Sequence, residues 1–417
     1  MNHLQKKIIW CSDSSDIPTG YTNQTIYILR ALAAKYQTFL LGHQYNGSEK
    51  QATTPMGVEP WIQIPGNYQG GTINYYISRI RPDVVAWLCD PFAIDDGSPW
   101  IPKKRKEWVQ WGNPKTIFYF PMDSDDVYAG MEETLSAVDY RVAMSKFGQA
   151  KLKKETGLDS LYIPHCVDTN LFYPLTEEQC NGIKKANHLD GKFVIGMVGR
   201  NQSRKNPQRL LYILKEFFDR HDDAYAFFHC DPYDPMQVSG GRTNMHVHCK
   251  ELGLNDHAPA KPECPRCRVK FSNVPFFTGI PQNQLNNIYN MFDVHAMSTT
   301  GEGFGITTIE AMSCGIPNIT TDYTTAQELL MDNGTCGIPV KWNTFINGGY
   351  NTKRVLPDEK AFLDGLEVLY SNKLLREQYG RVGREKVLKY YSLNVVLPKW
   401  LELFDEVLNK EMIRCVV

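Results

Sequence analysis

The sequence predicts an α/β chain of two doubly wound domains. Three observations lead there. The chain has 417 residues, more than one ordinary domain holds. It contains two strand–turn–helix openings about 185 residues apart. Between and after them, short apolar runs alternate with segments of helical periodicity.

The first opening is the apolar run Lys7–Cys11, a polar turn holding Pro18, Thr19 and Gly20, and a helix with Ile26, Leu29, Leu32 and Ala33 on one face. The second starts at Phe193–Val198 and passes through Gly199–Lys205 into a helix that Asn206 can cap and Pro207 can start. Leu210, Leu211, Leu214, Phe217 and Phe218 form the apolar stripe of that helix. Further strands are expected at Val84–Leu88, Ile117–Tyr119, Tyr140–Met144 and Leu161–Ile163 in the first half. In the second half they fall at Ala224–Cys230, Val274–Phe277, Val294–Met297 and Asn318–Thr321. The polar stretch Glu177–Asp190 reads as a linker, Asp231–Ser272 as an insertion of little regular pattern, and Pro398–Leu408 as a last helix starting at its proline.

Hydrophobic residues at 42% and aromatics at 12% are enough for real cores and exclude wholesale disorder. A net charge of -1 provides no global pull toward nucleic acid or an anionic membrane. No run of apolar residues is long enough to span a bilayer and the N-terminus lacks a signal-peptide core, so the expected location is cytoplasmic. Eleven scattered cysteines fit reduced thiols better than a disulfide framework.

The stretch Ser298–Pro317 carries the strongest chemistry. It reads as a Gly-rich turn followed by a short helix, with Gly315 and Pro317 as stop signals. Gly303 and Gly305 let backbone N–H groups approach a ligand at the positive end of that helix, an anion site suited to a diphosphate. Glu302 precedes the turn, and Glu310 lies inside an otherwise apolar helix, where a buried carboxylate needs hydroxyl or cationic partners. A core glutamate in a salt bridge is the plainer reading of either one.

The setting EGFGITTIEAMSCGIP, with seven residues between Glu302 and Glu310, resembles the signature of family 4 retaining glycosyltransferases of the GT-B fold. FFTGIPQNQLNNIYNMFDVHAMSTT before it, NITTDYTTAQELLMDNGTCGIPV after it and YIPHCVDTNLFYP at 162–174 resemble the same family. The resemblance implies two Rossmann-like domains facing a central cleft, at 1–175 and 190–385, with the insertion near 231–272 in the second. Residues 386–417 would carry a helix crossing back to the first. It implies a donor of the UDP- or GDP-sugar type and transfer to an acceptor hydroxyl, with no catalytic metal. Glu302 would sit against the donor sugar and Glu310 on the nucleotide ribose. Arg200 and Lys205 match the family's cation pair, which also fits physically, since two cations at a βα turn can neutralise a diphosphate. Backbone at Gly303, Phe304 and Gly305, with Gly20 and Gly279, would complete the donor site. Many members carry a histidine after a central strand of the first domain; here Ile117–Asp123 has none, and Asp123 is the nearest acidic candidate for a catalytic role.

Two other features offer chemistry. Cys264 and Cys267 form a CxxC knuckle which, with Cys249 and His248, could hold a structural zinc; free surface thiols are the alternative. Lys103–Lys106 between Trp100, Trp108 and Trp111 could touch an acceptor or nucleic acid, against the reading of a solvated helix face. Asp123-Ser124-Asp125 spells a DxD triplet, which in this setting reads as an ordinary acidic loop. The acceptor (glycan, lipid, protein or nucleic acid) is open. The rival functions are a nucleotide-sugar epimerase or hydrolase of the same fold, and a non-catalytic scaffold binding a partner such as RNA.

Overall fold

The computed structural model describes residues 5–54, 56–66, 70–95, 100–233, 244–261, 263–272, 274–275, 278–349 and 352–409. The chain forms two compact units. Residues up to His165 together with the helix Leu393–Asn409 make the first, and Cys166–Ser392 make the second.

The first unit is built on eight strands: β1 (Lys7–Asp13), β2 (Gln37–His43), β3 (Lys50–Thr54), β4 (Gly57–Gly66), β5 (Val84–Leu88), β6 (Lys115–Phe120), β7 (Tyr140–Ala143) and β8 (Leu161–Tyr162). They lie in the order β3-β4-β2-β1-β5-β6-β7-β8. Every pairing is parallel except β3 with β4. Central strands buried on both faces need continuous apolar runs, and all five residues of β5 are buried. The sheet order reverses beside β1, so the helix Gly20–Ala33 starts at a topological switch point, the usual place for a ligand in an open α/β sheet. Thr19 caps that helix, its hydroxyl accepting the Thr22 N–H at 3.1 Å.

The last helix starts five residues before its proline and keeps Pro398 in its interior. A proline there forfeits one backbone bond. Burial of Val396, Trp400, Leu403, Phe404 and Val407 outweighs that loss. Trp400 meets Trp10 and Tyr119 edge-on, at 5.6 and 4.8 Å between ring centres.

The second unit holds β9 (Phe193–Val198), β10 (Ala224–His229), β11 (Val269–Phe271), β12 (Val294–Met297), β13 (Asn318–Thr321) and β14 (Gly337–Val340) in an all-parallel sheet of order β11-β10-β9-β12-β13-β14. A separate antiparallel pair joins β15 (Trp342–Asn347) to β16 (Lys353–Pro357). The stripe Leu210, Leu211, Leu214, Phe217 and Phe218 packs into the core of this unit. Gly196, in the middle of β9, admits the Phe292 ring, which a Cβ there would approach to 2.0 Å.

Three expectations are corrected. The stretch from Glu177 is no linker but a helix, Glu177–Ala186, whose Thr176 and Gln179 form a reciprocal capping box. The segment read as a patternless insertion provides the helix Met245–Glu251 and the edge strand β11. That edge strand is Val269–Phe271, not Val274–Phe277: Val274 and Pro275 lie outside any strand, and Phe276 and Phe277 fall outside the described residues. Pro275 has no N–H to give a ladder.

Replacing Trp400 with alanine should cost about 3–5 kcal/mol, as a fully buried large aromatic does. The measurement is the urea midpoint of the full chain; an unchanged midpoint would show that this helix is not anchored through Trp400.

Candidate functional site

All six residues of β9 are buried, and the strand delivers the chain to Gly199 at φ 152°. A Cβ on Gly199 would sit 2.9 Å from the Lys205 Cδ, so a bare glycine is what lets the lysine stem lie over the strand end. The intervening turn closes through Lys205 N–H to Gln202 O at 3.0 Å. Asn206 then takes a left-handed conformation (φ 50°), and Pro207 begins the helix Pro207–Arg220. Asn206 occupies the cap position, yet its side chain makes no capping bond, which corrects the expectation from sequence.

The second half of the site follows β12, the neighbour of β9. Gly301 (φ 152°) and Gly305 (φ 105°) take left-handed backbone, and the helix Ile306–Ser313 starts at Gly305 without a side-chain cap. Its first N–H groups and its dipole face the same end as the Gly303–Gly305 turn. Thr324, itself left-handed at φ 52°, holds the turn. It accepts the Glu302 N–H at 3.1 Å and donates to the Glu302 carbonyl at 2.8 Å. Thr325 donates to the Phe304 carbonyl at 2.7 Å. A strained residue clamping a Gly-rich turn is a common mark of a binding site.

Glu302 is the centre of the cluster. Its Oε2 accepts from Arg204 Nη1 at 2.8 Å; its Oε1 accepts from Lys205 Nζ at 3.0 Å and Thr299 Oγ1 at 3.1 Å. Burial pushes its carboxyl up, but Arg204 and Lys205 outweigh that and hold it at about 2. Burial also pushes the Lys205 ammonium down, with Glu302 restoring part of the loss and Arg204 adding to it. Glu310 contrasts with Glu302. Buried within the helix Ile306–Ser313, it is raised to about 7 by burial, against the opposing pull of the Tyr289 hydroxyl at 2.7 Å and of Lys205. His295, on β12, packs against the Tyr289 ring at 5.8 Å and shares Nδ1 with Asn318 Oδ1 at 2.7 Å. Asn318 donates its amide to Ile316 O, so its oxygen is the acceptor and the imidazole carries its hydrogen on Nδ1. Burial lowers this histidine to about 4 and keeps it neutral.

The structure therefore brings together Lys205, Glu302, Gly303, Phe304, Gly305 and Glu310 where β9 and β12 end. Arg200 lies in the same turn as Lys205, but the arginine that joins Lys205 on Glu302 is Arg204. Gly279 (φ 59°) stands ahead of the helix Gln282–Asn290 in this unit. Gly20 and Asp123 belong to the first unit, Gly20 as the first residue of its helix. Beside Asp123, Met122 is buried in the core, and Asp125 of the DxD triplet pairs with Lys151 at 2.8 Å. Arg204, Thr299, Thr324 and Tyr289 went unread in the sequence. Only Arg204, adjacent to Lys205, carried a signal there.

Of the zinc candidates, Cys249 and Cys267 lie near enough to interact, but among the described residues no group of three His, Cys, Asp or Glu side chains is placed to hold a metal. His248 and Cys249 are consecutive in a helix and so point about 100° apart. Cys249 turns into the core, while His248 stacks edge-on against Tyr212 at 5.4 Å. The basic run is likewise divided, since Arg105 binds both oxygens of Asp139 at 2.6 Å and Trp108 is fully buried. Among the described residues no helix is long and apolar enough to cross a membrane.

Residues 181–386 match the family model described as glycosyl transferases group 1. A D-inositol 3-phosphate glycosyltransferase of Corynebacterium jeikeium is 31% identical over 150 residues, which are 35% of this chain and 31% of that protein. A phosphatidyl-myo-inositol mannosyltransferase of Mycobacterium tuberculosis is 25% identical over 64% of this chain and 59% of its own length. The chain thus spans from a third to just under two thirds of these curated relatives. Among solved structures, a sucrose-phosphate synthase from Thermosynechococcus elongatus superposes with a TM-score of 0.72, at 16% identity, over 97% of this chain and 99% of that one. HepE of Anabaena, solved in complex with UDP and glucose, superposes with a TM-score of 0.67 at 14% identity, over 96% and 100%. The chain thus has the GT-B fold of these solved glycosyltransferases, and residues 181–386, just under half of it, are similar in sequence to the glycosyl transferases group 1 family.

Proposed function

We propose that this chain moves a hexose-type sugar from a nucleoside diphosphate donor, UDP- or GDP-linked, to an acceptor hydroxyl, with retention at the anomeric carbon. The observation that carries the reading is the joint placement of Lys205, Glu302 and Glu310 around an uncapped helix start, where two neighbouring parallel strands end. Lys205, Arg200 and the amides of Gly303–Gly305 would take the diphosphate and the negative charge that grows on it as the sugar–oxygen bond breaks. Glu302 would orient the sugar, and Glu310, which can accept two hydroxyls once ionised, would hold the ribose. The acceptor oxygen forms the new bond to the anomeric carbon, and its proton leaves with the diphosphate. Asp123 stays as a first-unit candidate for a catalytic role, and Gly20 as one for the donor phosphates or the acceptor. The complex of HepE with UDP and glucose supports a nucleotide-sugar donor. The described cysteines are free thiols, which suits a cytoplasmic setting.

Nucleoside diphosphate release from a panel of UDP-, GDP- and ADP-sugars tests the reading. One donor should turn over, and Lys205→Ala should slow it about 100-fold or more. Release that survives the substitution at full rate would sink the assignment.

Donor affinity should also depend on pH with a midpoint near 7, because Glu310 accepts ribose hydroxyls only as a carboxylate. Binding should strengthen as pH rises through that value and should release protons at neutral pH. Tyr289→Phe removes a hydrogen bond that favours the carboxylate, so the midpoint should move upward. Calorimetry with an intact nucleotide sugar, which has no ionisation of its own in this range, is the check; affinity that is flat from pH 5.5 to 8.5 would refute the role given to Glu310.

A further inference from the structure

Arg204 joins the basic and acidic turns of the site twice over. Its carbonyl accepts the Thr300 N–H at 2.8 Å, the Thr299 hydroxyl at 3.2 Å and the Thr300 hydroxyl at 3.1 Å. Its Nη1 donates to the Gly301 carbonyl at 2.7 Å and to Glu302 Oε2 at 2.8 Å. The backbone bonds set the register of the two turns whatever side chain stands at this position. The side-chain bonds act on Glu302 and on the carbonyl before it.

The division of labour between the two cations follows from their chemistry. Lys205 is a single ammonium with two claimants, the Glu302 carboxylate and the donor diphosphate. It is also the more deeply buried, with 13% of its side chain exposed against 30% for Arg204. As Lys205 turns to a phosphate, its hold on Glu302 Oε1 weakens. A guanidinium keeps its charge throughout and can grip a carboxylate and a neighbouring carbonyl at once.

We propose that Arg204 is a positioning residue: it keeps Glu302 ionised and aimed while Lys205 is shared with the donor diphosphate. The proposal rests on the reading of this cluster as a donor-sugar site.

The test uses the full chain with Arg204→Met, Arg204→Lys and Glu302→Gln. Arg204→Met should lower kcat about tenfold or more, with the donor KM changed less than about threefold. At saturating donor, where Glu310 is already held as a carboxylate, it should also move the acid limb of the kcat–pH profile upward by about one pH unit, as loss of a neighbouring cation does to a carboxylate. Arg204→Lys should restore part of that limb. In thermal unfolding, Arg204→Met should lower the melting temperature less in the Glu302→Gln background than in the wild type, because the carboxylate is already gone while the bond to the Gly301 carbonyl remains. An unmoved acid limb, or melting losses that simply add, would overturn the proposal. A wild type that turns over no donor would instead overturn the donor-site reading, and the melting cycle would still decide whether Arg204 acts through Glu302.

Discussion

A single buried carboxylate sets the terms for the second unit. Glu302 lies where burial alone would protonate it, and it stays ionised because two cations and a hydroxyl converge on its oxygens. That convergence makes demands on the backbone. The turn after β9 and the turn after β12 must be neighbours, which the parallel sheet order provides. Gly199 must lack a side chain so that Lys205 can fold over the strand end. Thr324 must hold a left-handed conformation so that its hydroxyl can serve both backbone groups of Glu302. Each of these features is costly or unusual alone, and each is accounted for by the position of one carboxylate.

How far the sequence was legible follows from which forces are local. The strands β5 and β9 are short apolar runs bounded by turn residues, and an apolar run buried on both faces announces itself. Edge elements do not. In β15 all six residues are exposed, and β11 is three residues long beside a proline-containing stretch, so neither shows an apolar run. Sequence alone makes the last helix too short because Pro398 looks like a start signal, whereas the tertiary burial of Val396 and Trp400 carries the helix past it. The same division runs through the site. Glu302, Glu310, Lys205 and the glycines could be picked out because their spacing is local. Tyr289 and Thr324 meet the glutamates from 21 and 22 residues away, across the sheet, and no spacing rule links them.

Arg204 shows the limit from the other side. Its residue type was visible, and so was its position beside Lys205, but a cation in a polar turn reads equally as a solvated one. What separates it from Arg200 is the direction in which the turn sends its side chain. The carbonyl bonds to Thr299 and Thr300 settle that direction, and they exist only once β9 and β12 are paired.

The two glutamates of the motif also pull stability in opposite directions. Glu302 is held below its ordinary range, so the stability it contributes is present above about pH 4.5 and is lost as pH falls toward 2. Glu310 is held above its ordinary range, so it favours the folded state while protonated and costs stability as pH rises from about 4.5 through 7. At neutral pH the unit therefore carries one satisfied carboxylate and one that burial keeps only partly ionised. Tyr289 and Lys205 relieve the burial of Glu310 only in part. A ligand that brings hydroxyl donors to Glu310 would recover that cost on binding, so the donor proposed above would stabilise the fold as it binds.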